Sequence, residues 1–322
     1  MNKWKICGYE LIAGEKKQIL LHPNAGQYEI PTTLICGEQE GKTLLITAQI
    51  HAGEYNGTAA VTRLAQIIEP QKLKGNLLLM HCVNTSGFWQ QQPREIPEDH
   101  VNLNADYPGK EDGTIGQQIA AWFVKDIFPY VDFIADLHGG GMYEILEPCI
   151  FFPRAPKVTD CALAAAKALN VKYLLASSNS VGEYGYAANH MDIPGFILEC
   201  GYGGFIREEW VQQVQKCMEL LLAHLDMYQS MNRRIEICRK KLYRNTEYLE
   251  TDTRGVWYPA IKENQSVKKG ELLGKLGDFF GNIIKRYYAI EDGTVIYYTA
   301  GMCVLEGDPL VAYGLENSAV EY

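Results

Sequence analysis

The feature that most constrains the fold is a series of short, almost unbroken apolar runs. TLLITAQ (43–49), NLLLMHCV (76–83), VDFIADLH (131–138) and GFILEC (195–200) are each six to eight residues long. Strands that are covered on both faces read this way, because neither face needs to be polar. Longer amphipathic stretches separate them. In TIGQQIAAWFVKDIF, residues Ile115, Ile119, Trp122, Phe123 and Ile127 share one helical face. REEWVQQVQKCMELLLAHLDMY places Trp210, Val214, Cys217, Leu221 and Leu225 in the same way. The alternation runs from about residue 40 to 230. It predicts an α/β fold with a parallel or mixed central sheet flanked by helices, and leaves the strand order open.

The pattern changes after about residue 232. Short β-type segments then alternate with turn signals such as GKLGD, EDGT and EGDPL. The expectation is two domains, 1–231 and 232–322, the second smaller and all-β. A chain of 322 residues with 47% hydrophobic residues can bury a core of that size.

Charge and cysteine usage narrow the setting. The net charge is −9, which argues against a nucleic-acid partner or an anionic membrane surface. The nine cysteines are odd in number, scattered, and contain no CxxC. Cys36 and Cys82 lie inside apolar runs and read as small buried hydrophobes of a reducing compartment. The N-terminal residues lack the apolar stretch of a signal peptide, and no run approaches the roughly 18 apolar residues of a membrane span. A cytoplasmic protein acting on a small molecule is expected; a homo-oligomer is allowed for but not indicated.

The chemistry lies at the ends of the predicted strands. His51 and Glu54 follow the first run, Asn84 the second; His138 ends the third, and Glu199 lies at the end of the fourth. In open α/β sheets ligands bind at the carboxyl ends of the strands. Two histidines and one carboxylate are a sufficient protein shell for catalytic zinc, which leaves a position for water. Zinc makes that water more acidic and polarises a carbonyl, and a separate carboxylate then moves the proton. Glu199, a carboxylate in an apolar strand, is available for that role, because burying it without a reason is costly. Asp136, two residues before His138, is placed either to orient an imidazole or to cap a neighbouring loop. A lone HxxE or strand-end histidine also occurs as ordinary hydrogen-bonded structure, so no element is decisive singly.

Together the motifs HAGE (51–54), PREIPEDHVNLNADYPG (93–109), DLH (136–138) and ILECGYGG (197–204), in this order, resemble the succinylglutamate desuccinylase/aspartoacylase family of the zinc carboxypeptidase clan. KKGELLG, DGTVIYY and EGDPL resemble the family's C-terminal β domain, which is expected to lie beside the pocket. The resemblance implies a zinc-carboxypeptidase-like fold and one Zn2+ per chain on His51, Glu54 and His138. It implies Glu199 as general base, Arg94 as a substrate-binding and oxyanion-stabilising residue, and Asn104 as substrate-binding. The chain departs from the family at one place. The family reads NLNR, whereas this sequence has Asn102-Leu103-Asn104-Ala105-Asp106. An arginine there would fork onto a substrate carboxylate, and alanine cannot.

The expected activity is therefore a zinc-dependent amidohydrolase, a deacylase acting on an N-acyl amino acid or related N-acyl amine. Amide-blocked or cationic substrates are expected to compete at least as well as N-acyl-aspartate. Glu183, Tyr184 and Tyr186 of SVGEYGY are candidate pocket residues. The alternatives are a metallocarboxypeptidase for short peptides, which Ala105 disfavours, and a non-catalytic small-molecule binding protein on the same fold.

Overall fold

The computed structural model describes residues 3–23, 28–228 and 238–322. Its centre is a ten-stranded sheet. In chain order the strands are β1 (Lys16–Leu21), β2 (Ile30–Cys36), β3 (Gln39–Ala48), β4 (Lys74–Met80), β5 (Phe133–His138), β6 (Cys149–Pro153), β7 (Tyr173–Ser177), β8 (Gly195–Glu199), β9 (Lys241–Tyr243) and β10 (Ala319–Glu321). Across the sheet they lie in the order β10-β9-β7-β6-β8-β5-β3-β4-β2-β1. The middle pairs β8–β5, β5–β3 and β3–β4 are parallel, while β6–β8, β4–β2 and β2–β1 are antiparallel. The sheet is thus mixed, as the alternating pattern predicts.

The unbroken apolar runs have a direct explanation. Side chains alternate across a strand, so a strand between two layers must be apolar at every position. Leu44, Ile46, Leu77, Leu79, Phe133, Ala135 and Leu137 face one core. That core is completed by helices α1 (Tyr55–Ile67), α4 (Thr159–Ala168) and α6 (Glu208–His224). Leu45, Leu78, Met80, Ile134 and Ile197 face a second core, packed on α3 (Ile115–Trp122) and α5 (Glu183–His190); α2 is the short helix Thr85–Gln90. The expected helix beginning near residue 114 does not stay α-helical. It passes into a π turn, Phe123–Ile127, and a 3-10 turn, Phe128–Tyr130, because Pro129 supplies no backbone N–H.

The C-terminal residues build two antiparallel sheets. One contains Thr246–Glu250, Pro309–Leu315, Gly293–Thr299 and Ser266–Val267, and is joined by Glu144–Leu146 from the central region. The other contains Ile283–Tyr288, Leu272–Gly277, Gly255–Pro259 and Cys303–Val304. Their common core surrounds Trp257, Leu276, Val295 and Leu310. Two strands of this C-terminal stretch, β9 and β10, belong instead to the edge of the central sheet. The expected boundary between residues 231 and 232 lies outside the described residues. Among the described residues, no helix is long and apolar enough to cross a membrane.

The C-terminal core offers a direct stability test. Trp257 is fully buried and its indole N–H donates to the Thr299 carbonyl at 2.9 Å. A Cβ on Gly274 would run into the indole ring, which cannot shift without losing that bond. Gly274→Ala is expected to destabilise the protein by roughly 1–3 kcal/mol, the usual range for overpacking. The measurement is a urea midpoint at constant m-value. An unchanged midpoint would show that the ring relaxes freely.

Candidate active site

Three strand ends supply the site. After β3 the chain turns at Gln49, whose φ is +54°. The Gln49 side chain holds the turn by donating to the Ala52 carbonyl at 2.8 Å and accepting from the Thr58 hydroxyl. His51 follows in the loop and Glu54 sits at the N-terminus of α1. His138 ends β5 and Glu199 ends β8, and the two are register partners in adjacent parallel strands. Partners in register project to the same face, so the sheet itself sets imidazole and carboxylate side by side.

His51, Glu54 and His138 form a compact cluster, with one ligand atom from each within 4.8 Å of the others. His51 Nδ1 lies 2.9 Å from Glu54 Oε1, and His138 Nδ1 lies 2.9 Å from Glu54 Oε2. The opposite ring nitrogens are also held. His51 Nε2 is 3.0 Å from Asn102 Oδ1, and His138 Nε2 is 2.9 Å from Asp136 Oδ2. The Gly139 N–H donates to Glu54 Oε2 at 3.1 Å. A Cβ on Gly139 would press on the carbonyl oxygens of Cys200 and Gly201, so glycine allows this close approach.

The arrangement fits a zinc ion. Both Nδ1 atoms point at the shared carboxylate, and both Nε2 atoms are fixed by an outer oxygen, as is usual for metal-bound histidines. The electrostatics agree. Burial alone would raise the Glu54 carboxyl, but the two imidazoles outweigh it and hold it down at about 2. Burial opposes charge on His138, yet Asp136 and Glu54 lift it well above the usual histidine range. The pocket therefore favours positive charge between these side chains.

Behind the cluster, Asp136 Oδ1 accepts from the Thr47 hydroxyl at 3.0 Å. Thr47 and Asp136 are register partners in β3 and β5. The same hydroxyl lies 3.3 Å from Glu183 Oε1. Glu183 is fully buried, and desolvation together with Asp136 raises its carboxyl well above the normal range.

The cluster opens on a cavity of about 440 Å3 lined by His51, Glu54, Arg94, Glu199, Tyr248 and Tyr297 among others. A second cavity of about 480 Å3 adjoins it and shares Phe151, Glu199 and Tyr248. Glu199 Oε2 is buried without a hydrogen-bond partner. Burial first, with Glu54, Glu144 and Asp136 adding to it and His138 opposing, raises this carboxyl to about 8. A carboxyl so placed can take up and release a proton near neutral pH.

The residues singled out in the sequence separate into groups. His51, Glu54, Arg94 and Glu199 meet at the first cavity. Asn104 does not; it lines the second, beside Glu199. Asp136 touches His138 rather than capping a loop. Asn84 is structural: it caps α2 through Gly87 and donates to the Glu95 carbonyl. Tyr184 lines the second cavity, whereas Glu183 is interior and Tyr186 stacks on His190. Tyr248 and Tyr297 were not legible as site residues, because nothing in their local sequence links strands of the C-terminal region to this pocket.

Comparisons with known proteins agree with this geometry. The family model described as the succinylglutamate desuccinylase/aspartoacylase catalytic domain matches residues 40–225. An N-alpha-acetyl-L-2,4-diaminobutyric acid deacetylase of Halomonas elongata is 30% identical over 155 residues, 47% of this chain and 44% of that protein. The matched part of the chain thus spans less than half the length of that relative. The product-bound structure of the ectoine utilization protein EutE (DoeB) from Ruegeria pomeroyi superposes with a TM-score of 0.82 at 24% identity, covering 93% of this chain and 95% of that one. A succinylglutamate desuccinylase from Silicibacter sp. TM1040 gives 0.80 at 24% identity, covering 94% of each chain. With its sheet, its His-Glu-His cluster and a match over more than half its length, the chain belongs to the succinylglutamate desuccinylase/aspartoacylase family.

Proposed function

We propose that this protein is a zinc-dependent deacylase that hydrolyses the amide bond of an N-acyl amino acid or related N-acyl amine. The observation that carries this reading is that the His51–Glu54–His138 cluster adjoins one cavity lined by His51, Glu54, Arg94 and Glu199, whose Oε2 is buried without a partner. His51, His138 and Glu54 would hold one zinc ion, which when bound supplies a Lewis acid and a more acidic water.

The remaining chemistry belongs to the chain. Glu199 accepts the proton of the attacking water and passes it to the departing nitrogen. Its raised affinity for protons suits both halves of that transfer. Arg94 donates to the scissile carbonyl oxygen as negative charge develops there. Asp136 and Asn102 fix the two imidazoles, so the cluster keeps its shape while the proton moves. Tyr248, Ile296 and Tyr297 of the C-terminal region line the cavity.

Ala105 bears on the substrate. It lies in the 3-10 turn Leu103–Ala105, next to Asn104, and offers no donor for a carboxylate. A dicarboxylate leaving group such as aspartate loses one anchor. The relative from Halomonas elongata acts, by its name, on an amino acid derivative with a basic side chain. The zinc-loaded protein is expected to hydrolyse N-acetyl-L-2,4-diaminobutyrate with kcat/KM roughly tenfold or more above that for N-acetyl-L-aspartate, the effect of one charged hydrogen bond. Acetate release from the matched pair measures it. A preference for the aspartate derivative would overturn the argument from Ala105.

A further inference from the structure

The second cavity has a cation that no part of the mechanism uses. Arg154 follows β6 and lines the cavity together with Asn104, Asn179, Thr246, Tyr248 and Glu199. Among the described residues no carboxylate pairs with its guanidinium, which makes one hydrogen bond, from Nη2 to Asn245 Oδ1 at 3.0 Å. A guanidinium has five N–H donors, and on this exposed side chain the others are open to solvent or to a ligand. The same cavity also gathers unmet hydrogen-bonding capacity. Asn104 Oδ1, Thr246 Oγ1 and Glu199 Oε2 are buried without partners, three of the seven such atoms among the described residues. Buried polar atoms are nearly always paired, and a cluster of exceptions around one hollow marks a place where a ligand completes them; the acceptors Asn104 Oδ1 and Glu199 Oε2 call for N–H donors such as those of a leaving amine, which leaves an anionic group to Arg154.

The strand register gives the hollow a length. Glu199 is opposite Cys149 in the antiparallel pair β8–β6. Arg154 is five residues beyond Cys149 (154 − 149), so its backbone stands roughly 16 Å from that of Glu199 at about 3.3 Å per residue. Tyr248 lines the same hollow as both residues. The arginine side chain spans part of this gap, and a leaving group several bonds long has to fill the rest.

The geometry points to Arg154 as a specificity-determining residue that binds an anionic group, a carboxylate above all, at the far end of an extended leaving amine. This rests on the deacylase reading. It refines the consequence of Ala105. The anchor next to Asn104 is missing, and a different one stands at the other end of the hollow. A terminal carboxylate remote from the scissile nitrogen is favoured over its amide, whereas a carboxylate directly beside that nitrogen gains little.

The test uses zinc-loaded wild type, Arg154→Ala and Arg154→Lys with N-acetylglycine, N-acetyl-4-aminobutyrate and N-acetyl-6-aminohexanoate, each beside its carboxamide. In wild type, the ratio of kcat/KM for carboxylate over carboxamide is expected to rise along the series, from about 1 to roughly 30, in the range of a charged hydrogen bond. Arg154→Ala is expected to flatten it to about 1 at every length, and Arg154→Lys to restore part of the rise. A mere loss of packing would lower both members of a pair and leave their ratio intact. A ratio near 1 at every length in wild type, or the same rise in Arg154→Ala, would overturn the assignment. Calorimetric titration with 6-aminohexanoate and 6-aminohexanamide separates this from the deacylase reading. If no substrate is hydrolysed but wild type binds the acid at least tenfold more tightly than the amide and Arg154→Ala does not, the anchor stands and the deacylase reading falls. Equal binding of acid and amide by wild type removes the anchor.

Discussion

Glu199→Gln is expected to lower kcat by roughly 10²–10⁴, the span of a single general acid–base group, with the zinc content unchanged from that of the wild type. The amide of glutamine has the size of the carboxylate but cannot accept the water proton. It does not touch the metal donors, since Glu54, His51 and His138 pair with one another and not with Glu199. Steady-state kinetics beside elemental analysis check the expectation. A variant that binds zinc and ligand as before, with no rate to lose in the wild type, would favour the binding-protein alternative. A second readout comes from stability of the zinc-free protein. The folded-state affinity of Glu199 for its proton is raised, from 4.5 to about 8. Its contribution to stability is therefore present below about 4.5 and is lost as the pH rises through 8. Glutamine carries no such dependence. The melting temperature of Glu199→Gln is expected to gain on wild type between pH 5 and pH 8, and a pH-independent difference would mean that Glu199 titrates normally.

Much of this site is legible in the sequence, because its parts sit at strand ends that the apolar runs define. His138 and Glu199 close two such runs, and parallel pairing brings them together without any further device. HAGE follows a third run, and α1 begins directly after it. What the sequence hides is what the topology assembles from a distance. Asn102, which fixes His51, is indistinguishable from other turn asparagines until the loop folds back on the cluster. Arg154 reads as an ordinary residue after a strand. It becomes notable only because β6 runs antiparallel to β8, carrying it away from Glu199 along the same hollow. Tyr248 and Tyr297 belong to strands more than 100 residues beyond His138. They reach the pocket because Glu144–Leu146 pairs with Gly293–Thr299, a long-range contact that local patterning does not encode. The strand order of the ten-stranded sheet, with β9 and β10 drawn from the C-terminal stretch, is hidden for the same reason.

His138→Ala removes one of the three proposed zinc donors and is expected to abolish stoichiometric zinc, with activity down by about 10³-fold or more, because two remaining side chains would not complete the shell. The loss extends past one ligand. His138 is buried between two carboxylates at 2.9 Å each. Removing it leaves Glu54 and Asp136 with uncompensated negative charge in the interior, a costly state. Asp136→Asn separates ligation from orientation. It keeps the shape and can still meet His138 Nε2, but it withdraws the charge that lifts the imidazole, so zinc affinity is expected to fall roughly 10- to 100-fold while saturating zinc restores most of the turnover. The Thr47 hydroxyl, 3.0 Å from Asp136 Oδ1, would still hold the side chain in place by accepting from the asparagine amide. Competitive chelator titrations measure both variants. If His138→Ala retains one zinc per chain with wild-type affinity, the metal does not lie between His51, Glu54 and His138. If Asp136→Asn binds zinc as wild type does, the aspartate serves the fold of β5 and not the poise of the histidine.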